Sequence, residues 1–221
     1  MSPQLLQRLK ATLTYNQKRI FTLKFFKRVF AFLIIILLII AAIFAYIKVQ
    51  TLIYPETYSV YVEKYSTKFG VDRDLVYAVI KCESSFDPDA TSPVDARGLM
   101  QLTPETFDWV KSKLKDIDDD PLTANDLYTP ETNIKYGVYL LSLHLDEFGD
   151  VPTVLAAYHA GRGNVNKWLD NPDYSTDGKT ISTTPFKETN AYIERVQKVW
   201  DKYKNLHNNK YMLKLRDLGL I

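Results

Sequence analysis

The sequence predicts an all-α protein, a helical domain preceded by one transmembrane helix, and three observations carry that expectation. Nineteen successive residues, Val29 to Ile47, contain no charge. From Tyr58 onward apolar residues recur at the three- and four-residue spacing of amphipathic helices, with prolines at the starts and glycines at the ends. No segment of useful length alternates polar and apolar residues as a half-buried strand does, and no internal repeat is present.

The apolar run makes about 28 Å of helix against a bilayer core of roughly 30 Å. A cleaved signal peptide has a shorter core, about 7 to 15 residues, and no clear small-x-small site precedes Tyr54, so the run reads as an uncleaved anchor. Residues 1–28 hold seven of the 28 Lys and Arg and none of the 26 Asp and Glu. The positive-inside rule places this basic tail in the cytoplasm and everything after Lys48 outside, a single-pass protein of the cell membrane. Residues 29–221 are left with 21 basic and 26 acidic groups, a net charge of −5, which argues against nucleic acid as a partner. Residues 48–57 form a short link ended by Pro55, at most about 35 Å extended and about 15 Å helical, so the domain is held close to the membrane.

Tyr61, Tyr65 and Phe69 stand one turn apart and stop at Gly70, a C-cap. Leu75, Val76, Val79 and Ile80 form the next stripe, which Glu83 continues before Ser84-Ser85-Phe86-Asp87-Pro88 ends the helix. Thr103 caps a helix begun by Pro104 and carried by Phe107, Val110 and Leu114. The acidic run Asp116 to Asp120 lacks the alternating ligands, glycine and distal glutamate of a calcium loop and reads as a solvated turn. Thr129-Pro130-Glu131 opens a long helix through Ile134, Val138, Leu141, Leu145 and Phe148, closed by Gly149. Pro152 starts the helix of Leu155 and Tyr158. Residues 171–185 are loop, and residues 188–203 give a last helix through Tyr192, Ile193, Val196, Val199, Trp200 and Tyr203. The domain spans residues 58–206, leaving a tail, 207–221, with Leu213, Leu215, Leu218 and Leu220.

Fifteen tyrosines and 13% aromatic residues suit stacking on sugar faces and equally suit a tightly packed core. The single cysteine, Cys82, permits no disulfide within the chain and reads as a small apolar helix residue rather than a reactive thiol. No histidine stands at metal-ligand spacing from another or from Cys82, so neither a metal nor a cofactor is expected. Glu83 is the candidate for chemistry. A carboxylate that continues an apolar face is partly withdrawn from water, which raises its pKa and suits it to donate a proton near neutrality. The same spacing fits an ordinary glutamate on the wet edge of a short helix.

Four motifs in order tip that balance: Glu83-Ser84-Ser85-Phe86; Gly98-Leu99-Met100-Gln101-Leu102; Asn133-Ile134 with Tyr136-Gly137; and Ala157-Tyr158-His159-Ala160-Gly161. Together they resemble the soluble lytic transglycosylase family, the goose-lysozyme-like muramidases. The resemblance implies a lysozyme-like fold and, as substrate, the glycan strands of peptidoglycan. It implies that Glu83 acts first as acid and then as base while the N-acetyl group of N-acetylmuramic acid assists, and that the sugar's own 6-hydroxyl attacks to leave a 1,6-anhydro end. By motif position, Ser92 matches a serine near the catalytic carboxylate, and Met100 and Gln101 match residues lining sugar subsites. Tyr158 matches a tyrosine that orients Glu83, beside His159 and Ala160, and Tyr192 matches a cleft tyrosine.

Two positions depart from the family. His159 replaces the usual Asn with a ring that titrates, which implies pH-dependent sugar binding. Asp95 stands where glycine is common. A hydrolytic muramidase using Glu83 and Asp95, and a non-catalytic glycan-binding or scaffold subunit of a cell-envelope complex, are the alternatives, against a plain surface turn for Asp95. Any envelope partner is left unidentified by the sequence.

Overall fold

No glycine or proline interrupts residues 4–53, and the computed structural model shows a single 51-residue helix there, α1 (Pro3–Ile53). It describes residues 2–114, 121–208 and 219. The helix stops where Tyr54 precedes Pro55, because a residue before proline is pushed out of the α region. The proposed link over residues 48–57 is therefore helical as far as Ile53. Phe30 and Leu37 are 66% and 65% exposed, and an 18-residue window of α1 has a mean hydropathy of 3.2, so the helix is long and apolar enough to cross a membrane. Residues 1–53 and 54–221 form two separate units.

The second unit is mostly helical among its described residues, with a loop over residues 171–186. Among the described residues it has no strand, only isolated bridges pairing Thr91 with Arg97 and Arg97 with Leu102. Helix α2 (Ser59–Phe69) ends on Gly70 in the left-handed region. Helix α3 (Arg73–Ser84) is capped by Asp72, whose carboxylate accepts from the Asp74 amide. Helix α4 (Pro104–Leu114) follows, then a 3-10 turn over Ala124–Tyr128 opened by a Thr123–Asp126 capping box. Helix α5 (Pro130–Phe148) ends on Gly149, and α6 (Val151–Ala160) starts on Asp150, whose carboxylate takes the Thr153 amide and hydroxyl. Helices α7 (Arg162–Leu169) and α8 (Lys187–Asn208) complete the unit.

Helix α7 has no counterpart in the sequence reading. Its eight residues offer only Val165, Trp168 and Leu169 as a stripe, too short a pattern to separate from loop, although Val165 and Trp168 are buried. Helix α8 runs further than the predicted residues 188–203, because Tyr203 and His207 are buried one turn apart. The acidic run Asp116 to Asp120 and the leucines of the tail lie outside the described residues, whereas His207 and Asn208, placed in the tail by the sequence, close α8.

Helix α3 is the axle of the domain. Asp74 to Ile80 are all buried, on every side of the helix, with α2 and α8 packed against it. Its Leu75, Val76, Val79 and Ile80 join Leu99, Met100, Ile134, Val138, Leu155, Tyr192 and Val196 in the main core. Each such side chain contributes roughly 1.5–3 kcal/mol. A second cluster of Leu102, Phe107, Val110, Leu127, Tyr136 and Leu140 lies under α4. The turn from Gly98 to Leu102 is pinned between the two, with Leu99 and Met100 in one and Leu102 in the other. That turn and the end of α3 are the frame of the site.

Candidate active site

Helix α3 stops abruptly, which puts Glu83 in its last turn at the edge of the core. Ser85 and Phe86 both take left-handed conformations, with φ of 52° and 69°, at about 1–2 kcal/mol each for L-residues. Two contacts offset this. Phe86 is 9% exposed within the core, and the Ser84 hydroxyl donates to the Leu99 carbonyl at 2.8 Å. The Glu83 helix is thus hooked directly to the Gly98–Leu102 turn.

That turn is held by Asn133. The buried amide of this α5 residue accepts from the Met100 N–H at 2.7 Å and donates to the carbonyls of Arg97 and Leu127, each at 2.8 Å. Gly98 lies beneath, at φ 70°, where a Cβ would strike the Leu127 carbonyl and the Asn133 amide. Gly137 leaves the space that the Met100 side chain fills. Met100, expected to line sugar subsites, is instead fully buried. Its backbone serves the site: the Tyr158 hydroxyl donates to the Met100 carbonyl at 2.6 Å.

Tyr158 was the expected partner of Glu83, and the structure gives that bond to the other tyrosine. The Tyr192 hydroxyl, from α8, donates to Glu83 Oε1 at 2.6 Å. Burial pushes the Glu83 carboxyl up to about 7, against the Tyr192 hydrogen bond and the Arg195 charge, which both favour ionisation. His159 stacks on the Tyr192 ring, with centroids 4.5 Å apart, and its Nδ1 lies 3.2 Å from the Thr189 hydroxyl. Burial and the nearby Arg195 charge lower the His159 pKa, so the ring is neutral near pH 7.

Glu83, Ser92, Gln101, Tyr158 and His159 come together around a cleft of about 350 Å³. Ser92 Oγ accepts from the Ala96 amide at 3.0 Å, which leaves its own proton for a partner in the cleft. The Gln101 NH₂ donates to the carbonyls of Ala90 and Gly98. Ala160 lies beside His159 in an adjoining recess, and Tyr192 acts from behind Glu83. Asp95 does not line the cleft. It is exposed, and both its oxygens accept from Arg97 at 2.8 Å, which holds its carboxyl below the usual range. Glu83 is the one carboxylate among the described residues that line this cleft.

Arg195 was missed. It lies one turn beyond Tyr192 on α8, its guanidinium carbon 5.6 Å from that ring, and also offsets the upward push of burial on the Cys82 thiol. The signal was the i, i+3 spacing from a candidate tyrosine. Among the described residues no group of three or more His, Cys, Asp or Glu could hold a metal ion.

A helical domain in which a glutamate lines an open cleft and accepts from a tyrosine hydroxyl has a lysozyme-like site. Residues 60–181 match the Transglycosylase SLT domain, and the chain belongs to that family. It is 32% identical over 145 residues to the soluble lytic murein transglycosylase of Salmonella typhimurium, covering 65% of this chain and 22% of that protein. It is 28% identical over 165 residues to membrane-bound lytic murein transglycosylase C of Glaesserella parasuis, covering 66% of this chain and 45% of that one. The chain thus spans less than half the length of these relatives. Among solved structures it is similar to the lytic transglycosylase Slt of Pseudomonas aeruginosa, an inactive Glu-to-Gln mutant, with a TM-score of 0.60 and 28% identity over 70% of this chain and 25% of that one.

Proposed function

We propose that the chain is a membrane-anchored lytic transglycosylase that cleaves the β-1,4 bond between N-acetylmuramic acid and N-acetylglucosamine in peptidoglycan and leaves 1,6-anhydro ends. The observation that carries this reading is the solitary Glu83, poised near pH 7 by burial. Glycosidases that use two carboxylates set them about 5–9.5 Å apart across the scissile bond. The sequence candidate for a second one, Asp95, is committed to Arg97 outside the cleft, so a hydrolytic scheme using it is disfavoured.

In the proposed scheme protonated Glu83 gives its proton to the bridging oxygen as the bond to the anomeric carbon breaks. The acetamido oxygen of the same sugar covers that carbon. The carboxylate so formed takes the proton of the 6-hydroxyl, whose oxygen closes on the anomeric carbon as the acetamido oxygen leaves it with its bonding pair, and Glu83 ends protonated as it began. A pKa near the working pH allows one group to do both jobs. Tyr192 fixes the carboxyl and stabilises its ionised half of the cycle; Gln101, His159 and Ala160 border the sugar path, and Ser92 offers a hydroxyl beside the acid. An inactive Glu-to-Gln form of the Pseudomonas aeruginosa relative supports this dependence on one glutamate.

The apolar stretch of α1 anchors the chain in this reading, with the basic tail cytoplasmic and the catalytic domain, residues 58–206, on the wall side. The test is mass spectrometry of muropeptides released from purified peptidoglycan by the full chain, with Glu83→Gln beside it. Anhydro ends from the parent and none from the variant are expected. Release by neither protein would leave a glycan-binding scaffold.

A further inference from the structure

Asp95, which stands where glycine is common, has a φ of 60°, in the left-handed region that glycine enters freely and an L-residue enters under strain. Strain of this kind persists where the surroundings enforce it. Arg97 does so here: its Nε and Nη2 each donate to an Asp95 oxygen at 2.8 Å, the two-pronged geometry of the better surface ion pairs. The rest of the guanidinium reaches out of the loop. Nη1 donates to Asn125 Oδ1 at 3.0 Å, and the central carbon lies 5.9 Å from the Tyr128 ring. Asn125 and Tyr128 belong to the 3-10 turn over Ala124–Tyr128, and the Tyr128 hydroxyl shares a 2.7 Å hydrogen bond with Thr91 at the start of the same loop. The Arg97 carbonyl meanwhile accepts from Asn133, so its backbone is part of the frame of the site.

The segment between these ties is a rim of the cleft. Ser92 and Val94 line the space beside Glu83, and Val94, 74% exposed, has little protein to lean on. Bonds within the segment close its turn, from the Ser92 amide to the Ala96 carbonyl at 2.9 Å and from the Asp95 amide to the Ser92 carbonyl at 3.0 Å. They set the shape of the turn. Its place relative to the frame comes from Arg97 and Tyr128.

We infer that Asp95 is a positioning residue: with Arg97, Asn125 and Tyr128 it latches the rim that carries Ser92 and Val94, so that the cleft is already shaped when a glycan strand arrives. The inference rests on the glycan-cleaving reading above. Glycine would relieve the strain at this position and leave the rim free to swing, and the cost of ordering it would then fall on binding. Asp95 moves that cost to folding and takes no part in bond breaking.

The test compares the full chain in detergent with Asp95→Gly, Asp95→Asn and Asp95→Ala by two measurements. Deuterium uptake by residues 90–98, without any glycan, reports on the rim itself; KM and kcat for muropeptide release from purified peptidoglycan, all ends counted, report on its consequence. Asp95→Gly is expected to speed uptake and raise KM, each about fivefold, the scale of a good surface ion pair. Its kcat and melting temperature are expected to hold, because glycine relieves the left-handed strain. Asp95→Asn, which tolerates that conformation and keeps one acceptor, is expected to recover most of the parent's KM. Asp95→Ala keeps the strain without the latch, so its melting temperature is expected to fall as its KM rises. Unaltered uptake in Asp95→Gly, an unaltered KM beside an active parent, or equal KM values in the Gly and Asn variants would overturn the assignment. So would a fall in kcat of about a hundredfold or more, which would make Asp95 a group in the reaction. The two readings fail separately: a parent that releases nothing, with uptake faster in Asp95→Gly than in Asp95→Asn, removes the cleavage and leaves the latch. Anhydro ends from the parent with unaltered uptake in Asp95→Gly remove the latch alone.

Discussion

At the scale of single residues the proposed chemistry turns on Glu83. Replacing it by Gln removes both proton transfers and is expected to lower kcat by at least about 10²–10⁴-fold in a muropeptide-release assay. The same substitution reads out the cost of burial. The carboxyl is held near 7 in the folded chain against 4.5 as a free side chain, so the folded state binds more protons between those values and loses stability as pH rises through them. Glu83→Gln is therefore expected to match the parent near pH 4.5 and exceed it above pH 7, by at most about 3 kcal/mol, in denaturant titrations at the two pH values. Tyr192→Phe removes a donor that favours the ionised form. Its alkaline limb of activity, where the acid is lost, is expected to move to higher pH, and an unmoved limb would detach Tyr192 from the acid. Glu83 was legible because it prolongs an apolar stripe. The division of labour between the two tyrosines was not, since both are aromatic positions on buried faces and only the crossing of α6 and α8 decides which hydroxyl reaches the carboxylate.

At the scale of elements, the Gly98–Leu102 turn is a hydrogen-bonded insert that one side chain secures. Asn133→Ala would strand the Met100 amide and the Leu127 carbonyl, while the Arg97 carbonyl keeps the Leu102 amide as donor; a loss of about 2 kcal/mol or more is expected by urea unfolding, since each buried unpaired group costs about 1–3 kcal/mol. Gly137→Ala drives a Cβ into the Met100 side chain, and because the Met100 carbonyl holds Tyr158, activity is expected to fall along with stability. Wild-type turnover in Gly137→Ala would show that the turn has slack the packing does not suggest. Most helices were readable from their ends: Gly70, Pro104, Pro130 and Gly149 mark boundaries that the structure keeps. Where the markers were absent the reading failed. Helix α7 begins on Gly161 and ends on Asp170 with a three-residue stripe, and the inward turn of Met100 follows from a gap at Gly137 that lies far off in sequence.

At the scale of the molecule, the C-terminal half of α8 fastens the stretch that follows α1 in the chain. His207, 5% exposed, places Nε2 3.0 Å from Glu56 and Nδ1 against Asp74, whose carboxylate also lies 3.7 Å from Arg73. The Tyr203 hydroxyl donates to the Pro55 carbonyl at 2.9 Å, and Trp200 Nε1 donates to Asp72 at 3.0 Å. Burial alone would lower the His207 pKa; its bonds to Glu56 and Asp74 outweigh that and raise it above 6.5. A raised histidine stabilises fully below 6.5 and loses that contribution as pH climbs through its folded value. The melting temperature of the parent is therefore expected to fall above pH 6.5 more than that of His207→Phe, in scans by near-ultraviolet circular dichroism. Parallel curves would contradict a charged clasp. The sequence supplied the helices of this arrangement but not the clasp, whose members stand some 130 and 150 positions apart.

In the proposed reaction one glutamate cleaves the strand without water. Digestion of purified peptidoglycan by the full chain in ¹⁸O-labelled water tests it most directly. Anhydro ends free of label are expected, because the new bond to the anomeric carbon comes from the sugar's own 6-hydroxyl. Reducing ends carrying one labelled oxygen would contradict it and make water the nucleophile.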